Sequence, residues 1–204
     1  MERAGRKRAR VKILGLTGGI GMGKSTAANI FRRRHVPVFD ADATVHALQA
    51  RGGRAVAPVG AAFPGSIRDG AVDREALRRA VLGHPPALKR LERIVHPLVR
   101  TEERRFLAAA RRRRRPLVLL DIPLLFETGG ERRCDMVLVV SAPAAVQRAR
   151  VLKRPGMTPG RLDAILARQM PDPLRRARAD HVVRTGQSRH ATRRQILTLL
   201  ETLR

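Results

Sequence analysis

Tryptophan and tyrosine are missing from this 204-residue chain, and five phenylalanines are its only aromatics. Stacking platforms of the kind that hold single-stranded nucleic acid are therefore scarce. The lone cysteine, Cys134, cannot close an intrachain disulfide and has no CxxC partner for redox or metal chemistry, which agrees with a reducing compartment. Long apolar runs are absent too: the longest clean ones, 117–120 and 136–140, fall far short of the roughly 20 residues a bilayer span needs. The apolar stretch 11–16 behind the basic start is too short for a signal peptide. No membrane partner is expected, and the location expected is cytoplasmic.

Lysine is scarce as well, with 5 residues against 38 arginines, yet only 17 acids offset them and the net charge is +26. Abundant Arg, Ala, Gly and Pro together are what a GC-rich coding bias produces, so the charge alone does not specify a polyanion partner. The runs 6–10 and 111–115 read as solvated faces or a tail, compatible with nonspecific polyanion binding at low salt but not with a specific nucleic-acid site. Length and a hydrophobic content of 43% suffice for one domain with a real core.

Residues 11–16 form a compact apolar run bounded by glycine, the pattern of a strand buried on both faces of a parallel sheet. A helix begins at Ser25, then a second strand covers 36–39. The middle differs: 75–82 is amphipathic, and 87–110 places apolar residues at three- and four-residue spacings, with Pro97 expected to break or kink the segment. Strands are expected again at 117–120, 136–140 and 181–183, with helices over 147–153, 161–169 and 195–203. Alternating strands and helices argue for an α/β fold around a parallel sheet.

Residues 18–25 read GGIGMGKS, which satisfies G-x-x-x-x-G-K-[ST], and Thr26 comes next. Glycines let the backbone curl so that successive N–H groups face a phosphate, and the helix behind them offers the positive end of its dipole. Gly21, Met22, Gly23, Lys24, Ser25 and Thr26 are thus the candidate nucleotide-phosphate site. Lys24 would reach the β- and γ-phosphates, and the Ser25 hydroxyl would ligate Mg²⁺, a hard cation that prefers oxygen.

Such a loop does not by itself choose among nucleotide chemistries. There is no N-K-x-D segment for guanine, and no D-x-x-G after the second strand. That strand instead runs into Asp40-Ala41-Asp42 at its carboxyl end, where open α/β sheets bind ligands. A carboxylate there can take the proton of an attacking hydroxyl. Asp40 and Asp42 share a face if the backbone stays extended, and a turn separates them. Capping of the next helix is the competing reading.

The runs LGLTGGIGMGKST (14–26), VPVFDAD (36–42), Val95-His96-Pro97 and DIPLLFE (121–127), in this order and spacing, together resemble the dephospho-CoA kinase family. The resemblance covers about 11–186. It implies a three-layer P-loop kinase core, a helical substrate-side insertion over about 43–115 and a lid over about 147–169, behind a basic tail at 1–10. It also implies ATP-dependent phosphorylation of the ribose 3′-hydroxyl of dephospho-CoA. By that resemblance Asp42 is the catalytic base and Arg150 the lid arginine that balances charge on the transferring phosphoryl group. Asp40, His96, Phe126 and Glu127 lie on the substrate side. Read from its residues alone, His96 is a general acid, a substrate contact or a packed polar side chain. Asp121 stands where a carboxylate serves Mg²⁺ in many P-loop proteins. The chain departs from the family at Arg154-Pro155-Gly156, where Arg-Asp-Gly is usual, and before Gly186, where an Asp-Asn pair is usual.

Overall fold

The computed structural model describes residues 10–203. The basic tail expected at 1–10 lies outside them except for Arg10, which pairs with Asp135 at 2.6 Å.

In chain order the elements begin with β1 (Lys12–Thr17), α1 (Lys24–Arg33), β2 (Val38–Asp40), α2 (Ala41–Gln49) and α3 (Val56–Ala62). A short hairpin, β3 (Ile67–Arg68) and β4 (Ala71–Val72), precedes α4 (Arg74–Val81) and α5 (Pro85–Arg112). The remainder is β5 (Leu117–Asp121), β6 (Met136–Ser141), α6 (Ala144–Leu152), α7 (Pro159–Leu166), α8 (Asp172–Ala177), β7 (His181–Arg184) and α9 (Arg189–Thr202). Two compact units result: one takes residues up to Phe39 and from Ala110 onward, the other is Asp40–Ala109.

The strand order of the main sheet is β2-β5-β1-β6-β7, and β1 pairs in parallel with both β5 and β6. The alternation along β6 shows why helices cover both faces. Leu138 and Val140 enter one cluster with Ala27 and Phe31 of α1 and Ile196 and Leu199 of α9. Val137 and Val139 enter another with Leu125 and Phe126. Side chains two apart point to the same face, so both faces are apolar and neither meets water. The result is the expected α/β architecture of three layers. Since β1 leads to β2 on one side while β6 lies on the other, the loop after β1 sits at a point where strand order reverses.

The second unit has its own core, with Leu48, Val59, Phe63, Val72 and Leu77 buried together. Of the break or kink expected at Pro97, the break does not occur: α5 is one helix of 28 residues with Pro97 inside it. The proline removes one backbone hydrogen bond, a cost of about 3 kcal/mol. Leu91 and Ile94 before it and Leu98 and Val99 after it all pack on the same cluster, and that shared burial offsets the loss. The sequence pattern also did not announce α3, α8 or the hairpin, each of which is short.

Candidate active site

The glycine loop leaves β1 and turns into α1 through Gly21 at φ 74° and Gly23 at φ 88°, backbone conformations that side-chain-bearing residues rarely adopt. Space is limited as well: a Cβ on Gly21 would lie 2.5 Å from the side chain of Val151. Gly23 is the N-cap of α1 and supplies no side-chain cap. The first N–H groups of the helix, from Lys24 onward, therefore have no partner within it and face the loop.

Lys24, the first residue of α1, extends its ammonium to Asp121 at the end of β5, with Nζ 2.7 Å from Oδ1. Asp121 is 3% exposed, so two formal charges neutralise each other at the carboxyl edge of the sheet. Ser25 is exposed beside them and Thr26 half-buried. Met22 is buried, and its sulfur accepts from the Ala142 N–H. Its position in the motif contributes backbone to the loop while its side chain contributes packing.

Arginines of α6 have separate fates. Arg150 turns toward the loop, donating from Nη2 to the Thr185 carbonyl at 2.6 Å, with Nη1 3.5 Å from the Gly21 carbonyl oxygen. Arg148 instead pairs with exposed Asp163. Thr185 Oγ1 donates to the Met22 carbonyl at 2.6 Å, so the segment after β7 braces the loop from a third side. Thr185, Gln147, Gln169 and Arg175 all touch the loop or its supports, and for Thr185 and Arg175 only burial and contacts reveal it. Gln147 and Gln169 had a faint signal, since they bound the segment expected to act as a lid.

Asp40 ends β2 and caps α2, accepting from the Ala43 N–H at 3.0 Å, so of the two acids it is the one with a capping role. Asp42 lies in the first turn of α2, exposed. His96 is exposed on α5, which removes the reading of it as a packed core side chain. Phe126 is 6% exposed within the core, and the guanidinium of Arg178 lies 4.8 Å from its ring centroid. Glu127 accepts from the Met170 N–H at 2.8 Å and from Arg175 at 3.1 Å.

Residues 12–190 match the family model described as dephospho-CoA kinase. A dephospho-CoA kinase of Paramagnetospirillum magneticum is 70% identical over 166 residues, 81% of this chain and 78% of that protein. The chain belongs to the dephospho-CoA kinase family. It is accordingly an enzyme, a kinase that transfers phosphate in coenzyme A biosynthesis. Among solved structures, TT1252 of Thermus thermophilus is similar at a TM-score of 0.83 and 36% identity, covering 95% of this chain and 97% of that one. The dephospho-CoA kinase of Campylobacter jejuni, at 21% identity and a TM-score of 0.71 over 94% of this chain and 96% of that one, agrees in fold.

Proposed function

We propose that the chain phosphorylates the ribose 3′-hydroxyl of dephospho-CoA with ATP, giving CoA and ADP, and that the residues gathered at the glycine loop carry the transfer. The supporting observation is the uncapped start of α1, where Lys24 stands against buried Asp121 and Arg150 leans in from α6. The loop backbone at Gly21, Met22 and Gly23, with Lys24, Ser25 and Thr26, cradles the phosphates. Lys24 and Arg150 offset the charge that spreads over the equatorial oxygens during transfer. A guanidinium suits the task because it stays ionised and bonds phosphate oxygens in pairs.

Mg²⁺ fits the donors present. Among the described residues no group of three or more His, Cys, Asp or Glu could hold a metal ion. Mg²⁺ needs no such cage: with one or two protein oxygens it completes its shell from nucleotide phosphates and water. The Ser25 hydroxyl and the Asp121 carboxylate would hold it, and when bound it would neutralise phosphate charge.

Asp42 acts as the base. It accepts the 3′-hydroxyl proton as the oxygen attacks the γ-phosphorus and the bond to the β-phosphate oxygen breaks. Asp40 supports it by fixing the start of α2, and the helical segment of about 43–115, with His96, serves the acceptor. Phe126 and Glu127 hold the wall after β5 on the substrate side. The segment 147–169 closes as a lid that excludes water, which would otherwise take the phosphoryl group. A cytoplasmic location, where ATP is plentiful, belongs to the same proposal. Among the described residues no helix is long and apolar enough to cross a membrane.

The test is ADP release with dephospho-CoA against a panel of nucleosides, nucleotides and shikimate-like alcohols, with wild type and Asp42→Asn. Dephospho-CoA should be preferred by at least about a hundredfold in kcat/KM, a difference of some 2.7 kcal/mol. Asp42→Asn should lower kcat about 10²–10⁴-fold. No preference among acceptors refutes the substrate, and an unaltered rate in Asp42→Asn refutes the base.

A further inference from the structure

Ile20, within the glycine loop, has its backbone held from two sides. Gln147, 6% exposed in the first turn of α6, donates from Nε2 to the Ile20 carbonyl at 2.8 Å. The Ile20 N–H donates to Gln169 Oε1 at 3.0 Å. Next to Gln169, the Met170 N–H donates to Glu127 Oε1 at 2.8 Å, and the same oxygen accepts from Arg175 Nη2 at 3.1 Å. Arg175 is 1% exposed, and its Nη1 lies 3.1 Å from where a Cβ on Gly19 would sit. Its Nε is buried with no hydrogen-bond partner, a cost that ordinary surface arginines of this chain do not bear.

A carbonyl aimed at phosphate repels it, whereas an N–H attracts it. Engaging both groups of Ile20 fixes the direction of the carbonyl. Of the later N–H groups, that of Met22 donates to the Gly19 carbonyl at 3.1 Å, and those at the start of α1 face the anion. The two glutamines that do this stand at the two ends of the segment assigned as the lid. We propose that Gln147 and Gln169 are positioning residues that set the loop's phosphate-binding conformation and couple it to both ends of the lid, with the buried Arg175–Glu127 pair holding the Gln169 end. The inference rests on reading the loop as the ATP site and 147–169 as the lid.

The two positions make different chemical demands. Gln147 must donate and Gln169 must accept, so a carboxylate can replace the second but not the first. Each exchange for Met removes one hydrogen bond at similar volume and should lower kcat/KM for ATP about tenfold while moving KM for dephospho-CoA less than about twofold. Gln169→Glu should recover to within about threefold of wild type, whereas Gln147→Glu, setting a carboxylate against a carbonyl, should lose about 30-fold or more. Equal losses for Glu at both positions, or unchanged ATP kinetics in both Met variants, overturn the proposal.

Hydrogen exchange in the wild-type chain without added nucleotide supplies a measurement that needs no variant. The Ile20 amide should be strongly protected, and exchange at the unprotected rate overturns the clamp even if every variant misfolds. Protection of Ile20 in a protein that fails to phosphorylate dephospho-CoA would leave the clamp standing and remove the substrate instead.

Discussion

In the unit that carries the glycine loop, charge is buried and paired; in Asp40–Ala109, the groups assigned to the acceptor stand in the open. Lys24 and Asp121 meet at 2.7 Å with Asp121 nearly sealed from solvent, and Arg175 is sealed with them. Asp42 and His96 are exposed, on helices whose opposite faces share a core with Phe63 and Leu77. The contrast separates two ways of holding a functional group. A buried pair cannot lose one member without leaving the other unsolvated, so chemistry and stability are tied together. An exposed carboxylate on a helix turn can be neutralised with little structural cost.

The strongest way to break this contrast is Lys24→Ala. It should lower kcat by about 10³-fold or more through loss of phosphate stabilisation. It should also cost about 3 kcal/mol of stability, because Asp121 is left buried without its ammonium partner. Urea unfolding alongside the ADP assay measures both. An inactive variant with wild-type stability would show the pair to be functional only.

Core substitutions compare the units directly. Phe31→Ala, emptying a fully buried site beneath the sheet, should cost about 3–5 kcal/mol, and Leu77→Ala about 2–4 kcal/mol. Equilibrium unfolding with probes in each unit then shows whether both transitions shift together. If Leu77→Ala moves only one of two resolved transitions, the units are separately stable as well as separately packed.

Arg150→Ala should lower kcat about 100-fold by removing a charge that faces the loop, while Arg148→Ala should change it less than about twofold. Similar losses at both positions would mean that the bonds from Arg150 to Gly21 and Thr185 do not reflect its role.

The smallest effect belongs to Asp73, the N-cap of α4, which accepts from the Ala76 and Glu75 N–H groups at 3.0 Å. The Ala76 bond is the largest cause that holds its carboxyl below the ordinary value of 3.8; desolvation, the next in size, opposes it, and the Glu75 bond with attraction from Arg68 and Arg79 adds to the lowering. Because the folded state prefers the carboxylate, the cap's contribution is complete above 3.8 and is lost as pH falls through the lower folded value. Asp73→Asn keeps an acceptor that does not titrate. In acid unfolding, wild type should therefore lose stability relative to Asp73→Asn below pH 3.8, and parallel curves would contradict this.

Legibility divided along the same line. GGIGMGKS was readable because a phosphate loop needs glycine at fixed offsets between a strand and a helix, and the strands β5 and β6 because a sheet buried on both faces needs unbroken apolar runs. Asp40 was readable as one of two acids beginning a helix, though not which of the two would cap it. At Pro97 the helix runs on where a break was one of two expectations, since a local penalty is visible in sequence while the packing of Leu91, Ile94, Leu98 and Val99 on one cluster is not.

Gln147, Gln169 and Arg175 were hidden for a related reason. One of 38 arginines cannot be marked as buried by its neighbours in the chain, and a glutamine shows no periodic signal. By itself, then, the sequence determined the α/β class, the glycine loop between a strand and a helix, and through its ordered motifs the family. Local backbone demands and two-residue periodicity are written in adjacent residues. Only the tertiary structure decided that Lys24 meets Asp121, that Arg150 rather than Arg148 faces the loop, and that two glutamines grip Ile20. Each of those joins residues far apart in the chain, and burial makes such pairings obligatory, because a polar group shut away from water must find its partner within the protein.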